Sequence, residues 1–270
     1  MLGGRHPGVT FEVVNAAVTS INSHTIVPIA RDCAKADGDI WVVYMGNNEV
    51  VGPFGAGTIF GSQTPAMPLI RGTLAFKTTR TGQCLDSLRQ ILRPPPSDKT
   101  EWGGMMMFLD KQVPADDPRM ERVYHHFEQN LADILRAGHN SGPGIVVSTV
   151  AVNLKDCAPF GSAHRAGLSA SDQTGWEELY RRGVDLGTTG NLREASVILK
   201  QASQIDDRVA ELRYRQAECA LAQGDRDAAQ RDFRAACDLD TLRFRCDSRL
   251  NDLTRRTASG CRWTTWRRCA

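Results

Sequence analysis

The sequence lacks the features that mark several large classes of protein. No run approaches 18 apolar residues, so no segment is expected to span a membrane. Lys and Arg total 33 against 31 Asp and Glu, and this net charge of +2 gives no electrostatic case for nucleic-acid binding. The first eight residues, MLGGRHPG, lack the basic start and apolar core of a signal peptide, so a cytoplasmic location is the default expectation.

The sequence also lacks the usual metal and nucleotide motifs. Its eight cysteines are scattered, with no CxxC pair and no Cys/His cluster at zinc-ligand spacing, and most are expected to be small buried apolar residues. There is no Walker A sequence, no GxGxxG after the first visible strand and no HExxH. We therefore expect neither a metal nor a cofactor.

Apolar runs that alternate with helical periods predict an α/β fold for residues 1–170. The runs Phe11–Asn15, Ile40–Met45 and Gly144–Val152 have the composition of buried strands. Helices are predicted over Thr25–Ala36 and from Asp117 to Ala137. Strand, helix, strand, helix, strand is typical of a three-layer parallel sheet.

Residues 52–112 are predicted to be a long insertion that directly follows a strand. The stretch Gly52–Gly61 holds four glycines, Pro65 and Pro68 follow, and one short helix is predicted over Leu85–Leu92. Long loops at the carboxyl edge of a parallel sheet usually form lids or pocket walls. We expect the insertion to wall a ligand pocket.

After Gly167 two segments match at an offset of 34 residues. The matched pairs are Tyr180 with Tyr214, Gly190 with Gly224, Asn191 with Asp225, Ala195 with Ala229, Leu199 with Phe233, Ala202 with Ala236 and Asp206 with Asp240. A large residue, a turn glycine and then small and large apolar residues form the tetratricopeptide (TPR) pattern. We predict an all-α domain over 174–257, with two repeats over Thr174–Asp240 that lean on the α/β domain and a capping helix over Thr241–Arg255.

Two segments that follow predicted strands carry a family resemblance. The segment Tyr44-Met45-Gly46-Asn47-Asn48-Glu49 contains a Gly-x-Asn after an apolar strand, and Asn15–His24 follows the strand before it. In these blocks the chain resembles the SGNH/GDSL hydrolases, which implies an incomplete SGNH or flavodoxin-like sheet. The resemblance implies that the Asn48 side chain donates to an oxyanion, and that Ser20 or its neighbour supplies a backbone N–H where the family usually has Gly.

Five further residues are predicted to contact the substrate because of their positions. Gly46, Asn47 and Glu49 flank Asn48, and His24 lies one turn beyond the Ser20 segment. His164 follows the carboxyl end of the last predicted strand, which is where ligands bind in open α/β sheets. Preorganised donors at a developing oxyanion contribute roughly 3–4 kcal/mol each to ester hydrolysis.

Two sequence blocks of that family are missing. No Gly-Asp-Ser follows a strand, no GxSxG elbow occurs and no Asp-x-x-His is present, and Ser23 and Ser162 are only guesses for a replacement nucleophile. We therefore expect truncation at both ends. The tail Ala258–Ala270 packs two Trp and two Cys into 13 residues without periodicity, so an out-of-frame tail is expected, with an amphipathic anchor as the alternative.

These observations support two functions of different classes. The first is an ester or acyl hydrolase by lineage, with a small-molecule or acyl-ester substrate, which is inactive as this chain for want of Ser and His. The alternative is a non-catalytic TPR adaptor that binds a protein partner and whose α/β part is a relic. If the resemblance holds, a membrane-anchored or extracytoplasmic location also stays open.

Overall fold

The structure, a computed structural model, describes residues 8–92 and 104–260, together with Gly4. In chain order the elements are α1 (Ser23–Cys33), β1 (Ile40–Tyr44), α2 (Met67–Thr78), α3 (Arg80–Leu92), a 3₁₀ helix (Gly104–Lys111), α4 (Arg119–Ser141), β2 (Gly144–Ser148), α5 (Ala170–Thr188), α6 (Leu192–Ile205), α7 (Ala210–Ala222), α8 (Arg226–Leu239) and α9 (Ser248–Gly260). The fold is therefore mostly helical, with a small parallel sheet.

The two strands pair in parallel, with Ile40 opposite Gly144 and Tyr44 opposite Ser148. Because side chains alternate along a strand, Val43 faces the core while Ile40, Val42 and Tyr44 are exposed. Helices α1, α4 and α9 contribute to the core that covers one face. Within the described ranges the sheet is thus two-stranded and covered on one face, which is less than the predicted three-layer sheet.

The prediction of a strand over Phe11–Asn15 is wrong. These residues form no strand in the structure, and Val13 and Val14 are exposed. An apolar run becomes a strand only when a neighbouring strand takes its N–H and C=O groups.

Helix α4 is the central element of the α/β part, and its prediction from an Asp-Pro start is confirmed. The Asp117 carboxylate accepts a hydrogen bond from the Arg119 N–H, and Gly142 ends the helix with φ 100°. The predicted apolar stripe is buried, namely Met120, Val123, Phe127, Leu131, Ile134 and Leu135. The helix extends four residues beyond the predicted end at Ala137.

The insertion contains more helix than its Gly and Pro content predicts. The predicted helix at Leu85–Leu92 is the second half of α3, which begins at Arg80. Helix α2 precedes it, with Pro68 in its first turn, where the missing N–H costs no hydrogen bond. Residues 93–103 lie outside the described ranges.

Helices α5 to α8 form a segment of two packed helix pairs, α5 with α6 and α7 with α8. The prediction of four helices over Thr174–Asp240 is confirmed. Gly190 and Gly224 adopt the same left-handed φ of 85° at the turns within the two pairs. The matched pairs Ala195 with Ala229, Leu199 with Phe233 and Ala202 with Ala236 are all buried.

The prediction of a cap over Thr241–Arg255 is corrected in both place and partner. The helix is α9, and it packs against α4 and β2 of the α/β part, where Leu250 and Leu253 join the core. Arg249 forms an ion pair with Glu121 of α4, and the Asn251 amide bonds both N–H and C=O of Val150. The chain therefore returns to the α/β part after the helical segment.

Two remaining expectations concern the ends of the chain and the membrane. Residues Ala258–Gly260 continue α9, whereas 261–270 and most of the first seven residues lie outside the described ranges. Among the described helices, none combines the length and the apolar character needed to cross a bilayer.

Candidate oxyanion site

The candidate site lies where the chain leaves β1. Met45 is buried beside the core, and Gly46 follows with φ 140°, a conformation that L side chains rarely adopt. A Cβ on Gly46 would lie 3.0 Å from Cys246 Sγ and 3.3 Å from Val150 Cγ2. Glycine is therefore needed at position 46 both for the turn and for close packing. These contacts give Gly46 a structural role, whereas the sequence predicted a contact with substrate.

The Asn48 side chain is half-buried and lies against the segment that contains Ser20. Its Nδ2 donates to the carbonyl oxygen of Ile21 at 3.3 Å. Ser20, the preceding residue, is exposed and has a left-handed φ of 61°. The structure thus brings the Asn48 side chain to the residue that follows Ser20.

Backbone and amide hydrogen bonds hold the loop that carries Asn48. The Gly52 N–H donates to the Asn48 carbonyl at 2.8 Å, and Asn22 Nδ2 donates to the Pro53 carbonyl at 2.7 Å. Asn22 itself is buried at the N-cap of α1, and its Oδ1 has no hydrogen-bond partner. The start of α1 and the loop after β1 therefore form one structural unit.

Glu49 lies inside the protein and binds the first residue of α1. Its Oε1 accepts from the Ser23 N–H at 2.8 Å, and its Oε2 accepts from Ser23 Oγ at 2.6 Å. Burial raises the pKa of Glu49 to about 7, although the bonds from Ser23 oppose that rise. This is not the pocket-lining position predicted for Glu49, because both of its oxygens are used within the protein.

The buried polar cluster continues from Ser23 into α4. Asn130 Nδ2 donates to Ser23 Oγ at 3.0 Å and lies 3.1 Å from His24 Nδ1. The His24 ring makes edge contacts with Phe54 and with His126, whose Nδ1 is buried without a partner. Burial lowers the pKa of His24 to about 4, and the charge of the His126 ring adds to this effect.

His126 has a similar environment, and its pKa is also lowered to about 4, first by burial and then by the charge of His125. A neutral imidazole is the form that fits such a site. His24 and His126 are thus core histidines, which differs from the predicted role of His24 at the substrate. Asn47, by contrast, is exposed beside Asn48 and is free of core contacts among those the structure describes.

His164 contacts the helical segment instead of the Asn48 loop. Its Nδ1 lies 2.8 Å from Asp206 Oδ2, and its ring makes an edge contact with Trp176. The buried Asp206 carboxylate also accepts from the N–H groups of Arg165 and Arg208. The described contacts of His164 therefore serve the junction between residues 153–165 and the repeats.

No serine hydroxyl in residues 8–92 or 104–260 is hydrogen-bonded to a histidine ring. Ser23 Oγ is fully buried and used by Glu49 and Asn130, while Ser162 Oγ accepts from the Glu211 N–H at 3.0 Å. Neither is placed as a nucleophile. Over the same ranges, no three His, Cys, Asp or Glu side chains are arranged to hold a metal ion.

Sequence reasoning missed two residues that organise this region, Asn130 and Asn22, and it missed the shared role of Asp206 and Asp240. Asn130 is a polar residue inside the apolar stripe of α4, and that position was a readable signal. For Asn22 the sequence contains no such signal beyond its position before a predicted helix. Asp206 and Asp240 were seen as a repeat pair, but their shared role was not: Asp240 accepts from the N–H groups of Phe160 and Gly161, so both carboxylates bind one loop.

Comparison with known proteins adds no relative. The chain matches no protein-family model, no curated protein and no solved structure.

Proposed function

We propose that this chain is an SGNH/GDSL-type ester-hydrolase module that supplies oxyanion donors and does not turn over esters by itself. The observation that carries the proposal is the contact between Asn48 Nδ2 and the Ile21 carbonyl at 3.3 Å. It puts a side-chain amide next to the Ser20 backbone at the carboxyl edge of a parallel strand, where α/β folds bind ligands.

The chemistry of the two donors suits a carbonyl oxygen that gains negative charge. The half-buried Asn48 amide has two N–H groups, and only one is needed for the 3.3 Å contact with Ile21. Ser20 has a left-handed φ of 61°, so the backbone changes direction at this residue. Fixed donors of this kind require little reorganisation during the reaction, which is why loss of one costs an active enzyme about 10²–10³ in kcat.

The module lacks a nucleophile and a base among the described residues, so binding rather than turnover is the property to test. A carboxylate such as acetate presents the same oxygen chemistry as an ester product. We expect acetate to shift the NMR signals of the Asn48 side-chain amide and of the Ser20 and Ile21 backbone amides. The shifts should vanish in Asn48→Ala.

Asn140→Ala is the matched control, since Asn140 is an exposed asparagine near the end of α4. It should leave the acetate response unchanged. A p-nitrophenyl acetate assay completes the test, with no turnover above the uncatalysed rate expected for either the wild type or Asn48→Ala. Acetate shifts that spare Asn48, or turnover that survives Asn48→Ala, would refute the proposed site.

We further propose that the helix pairs α5–α8 are two TPR repeats that serve as a structural insertion. Their polar contacts support this role over that of an adaptor. Tyr214 Oη donates to the Lys155 carbonyl at 2.6 Å, and Asp206 and Asp240 bind the backbone of residues 160–165. An adaptor should instead capture a protein partner through residues 174–257 in the full chain.

A further inference from the structure

Helix α3 presents an apolar stripe to solvent. Cys84, Leu88 and Ile91 follow the i, i+4, i+7 spacing of one helix face, and Leu85 lies one turn before Leu88 beside them. An amphipathic helix of a globular protein normally buries such a stripe. Here Leu85 and Leu88 are each 50% exposed and Ile91 is 78% exposed.

Helix α2, which packs against α3, also exposes apolar residues. Leu69 and Phe76 lie seven residues apart, hence on one face, and are 63% and 47% exposed. The other side of α2 is attached to the protein: Ile70 is buried, and Arg71 forms an ion pair with Asp133 of α4 at 2.7 Å. The α2–α3 hairpin, residues 67–92, is therefore anchored with its apolar residues outward.

The hairpin is net basic. It contains Arg71, Lys77, Arg80 and Arg89 against Asp86 alone. Arg71 is paired with Asp133 at 2.7 Å and Lys77 with Asp86 at 4.0 Å, so Arg80 and Arg89 supply the remaining positive charge of the hairpin.

We propose that the α2–α3 hairpin docks in the plane of an anionic lipid surface. Its 13-residue α3 is on the order of 20 Å long, too short to cross a hydrocarbon core of about 30 Å but suited to lie along the interface. Exposed Leu, Ile and Phe with basic neighbours are the composition of interfacial helices. The inference does not depend on the proposed hydrolase site.

Charge decides between this occupant and a second copy of the chain. Two hairpins placed face to face would oppose like charges, which disfavours association. Anionic headgroups, by contrast, gain about 1 kcal/mol per basic residue near the surface at low salt. An anionic lipid surface can bury the apolar stripe in its interface and attract the basic side chains with its headgroups.

The test is co-sedimentation of the full chain with vesicles of phosphatidylcholine alone or mixed equally with phosphatidylglycerol. We expect the partition coefficient to be at least about tenfold higher for the anionic vesicles and to fall in 0.5 M salt. Leu85→Gln with Leu88→Gln should lower it about tenfold or more. Arg80→Gln should lower it about fivefold at low salt, and Lys77→Gln should lower it less because Lys77 is already paired with Asp86.

Matched controls use exposed residues of the helical segment. Val197→Gln changes an exposed apolar residue on α6, and Lys200→Gln changes an exposed lysine on the same helix. Neither should alter partitioning, and circular dichroism should show the same helix content for every variant. Equal partitioning to both vesicles, an unchanged Leu85/Leu88 variant, or a dimer that this variant dissociates without any vesicle binding would overturn the proposal.

Discussion

The helical segment 170–239 and the α/β part of this protein are held together by contacts of very different range. In the helical segment each helix packs mainly against its neighbour in the chain, around small apolar cores centred on Leu199 and Phe233. The α/β core collects residues from Val27 to Leu253. Local packing repeats along the sequence and can be recognised there, whereas a core assembled over such distances cannot.

The two parts also differ in what they bury. The repeat cores are made of aliphatic and aromatic residues with one Cys, and Asp206 is buried beside them, whereas the α/β part encloses a larger set of buried polar residues, namely Asn22, Ser23, His24, Glu49, His126 and Asn130. Buried polar groups are stable only when partnered, so this cluster makes the α/β part sensitive to single changes and to pH. The comparison leads to three predictions.

The largest effect is expected for Phe127→Ala in α4. Phe127 is fully buried in the α/β core, and loss of its ring should cost about 3–5 kcal/mol of the free energy of unfolding. Hydrogen exchange should show lost protection along α4 and β1. Because the repeat cores are separate clusters, amides of α6 and α8 should keep their protection. Equal loss in both parts would show that they unfold as one unit.

A smaller effect is expected for Asp206→Ala at the junction of the two parts. The change leaves the donors of His164, Arg165 and Arg208 without their carboxylate, at a cost of about 2–3 kcal/mol. Urea denaturation measures this loss in the free energy of unfolding. Asp207→Ala is the control, because Asp207 is exposed and pairs with Arg213 at the surface, so that change should cost less than about 1 kcal/mol. Similar costs for both variants would contradict the assigned role of Asp206.

The third prediction concerns the pH dependence of stability, which should peak near pH 6.5. His24 and His126 have folded pKa values of about 4, below the ordinary 6.5, so their contribution is present above pH 6.5 and lost as pH falls through 4. Glu49 has a folded pKa of about 7, above the ordinary 4.5, so its contribution is present below 4.5 and lost as pH rises through 7.

Glu49→Gln separates the two arms of that profile. The variant should abolish the fall in stability above pH 6.5 and leave the acid arm in place, as measured by urea midpoints from pH 4 to 9. Glu12→Gln, on exposed coil, is the control and should not change the profile. A fall above pH 6.5 that persists in Glu49→Gln would disprove the role given to this carboxyl.

Predictions from sequence succeeded where a local pattern was sufficient. The Asp117-Pro118 start, the stripe of α4 and the 34-residue offset each rest on residues close together in the chain, and each predicted helix formed. Phe11–Asn15 failed because a strand depends on a neighbour that its own residues do not specify. The same reason explains α9, because its own residues do not specify which part of the protein its apolar face packs against.

At the candidate site, too, the predictions failed where a residue's position depends on contacts with residues far away in the chain. Glu49 is predicted to contact substrate because it is the neighbour of Asn48 in the chain. The structure instead buries Glu49 under Ser23, 26 residues earlier in the chain. His164 was predicted from a strand end, yet Asp206, 42 residues later, fixes its position.

The sequence by itself determined most of the helices outside the insertion, the two-fold repeat and the glycine turn between β1 and Asn48. These depend on spacing, capping and backbone conformation, all of which act over a few residues. Only the tertiary structure decided that Asn48 meets Ile21, that Glu49 and two histidines are core residues, and that α9 returns to the α/β part. Those outcomes depend on which surfaces exclude water together, and that is a property of the whole packed chain.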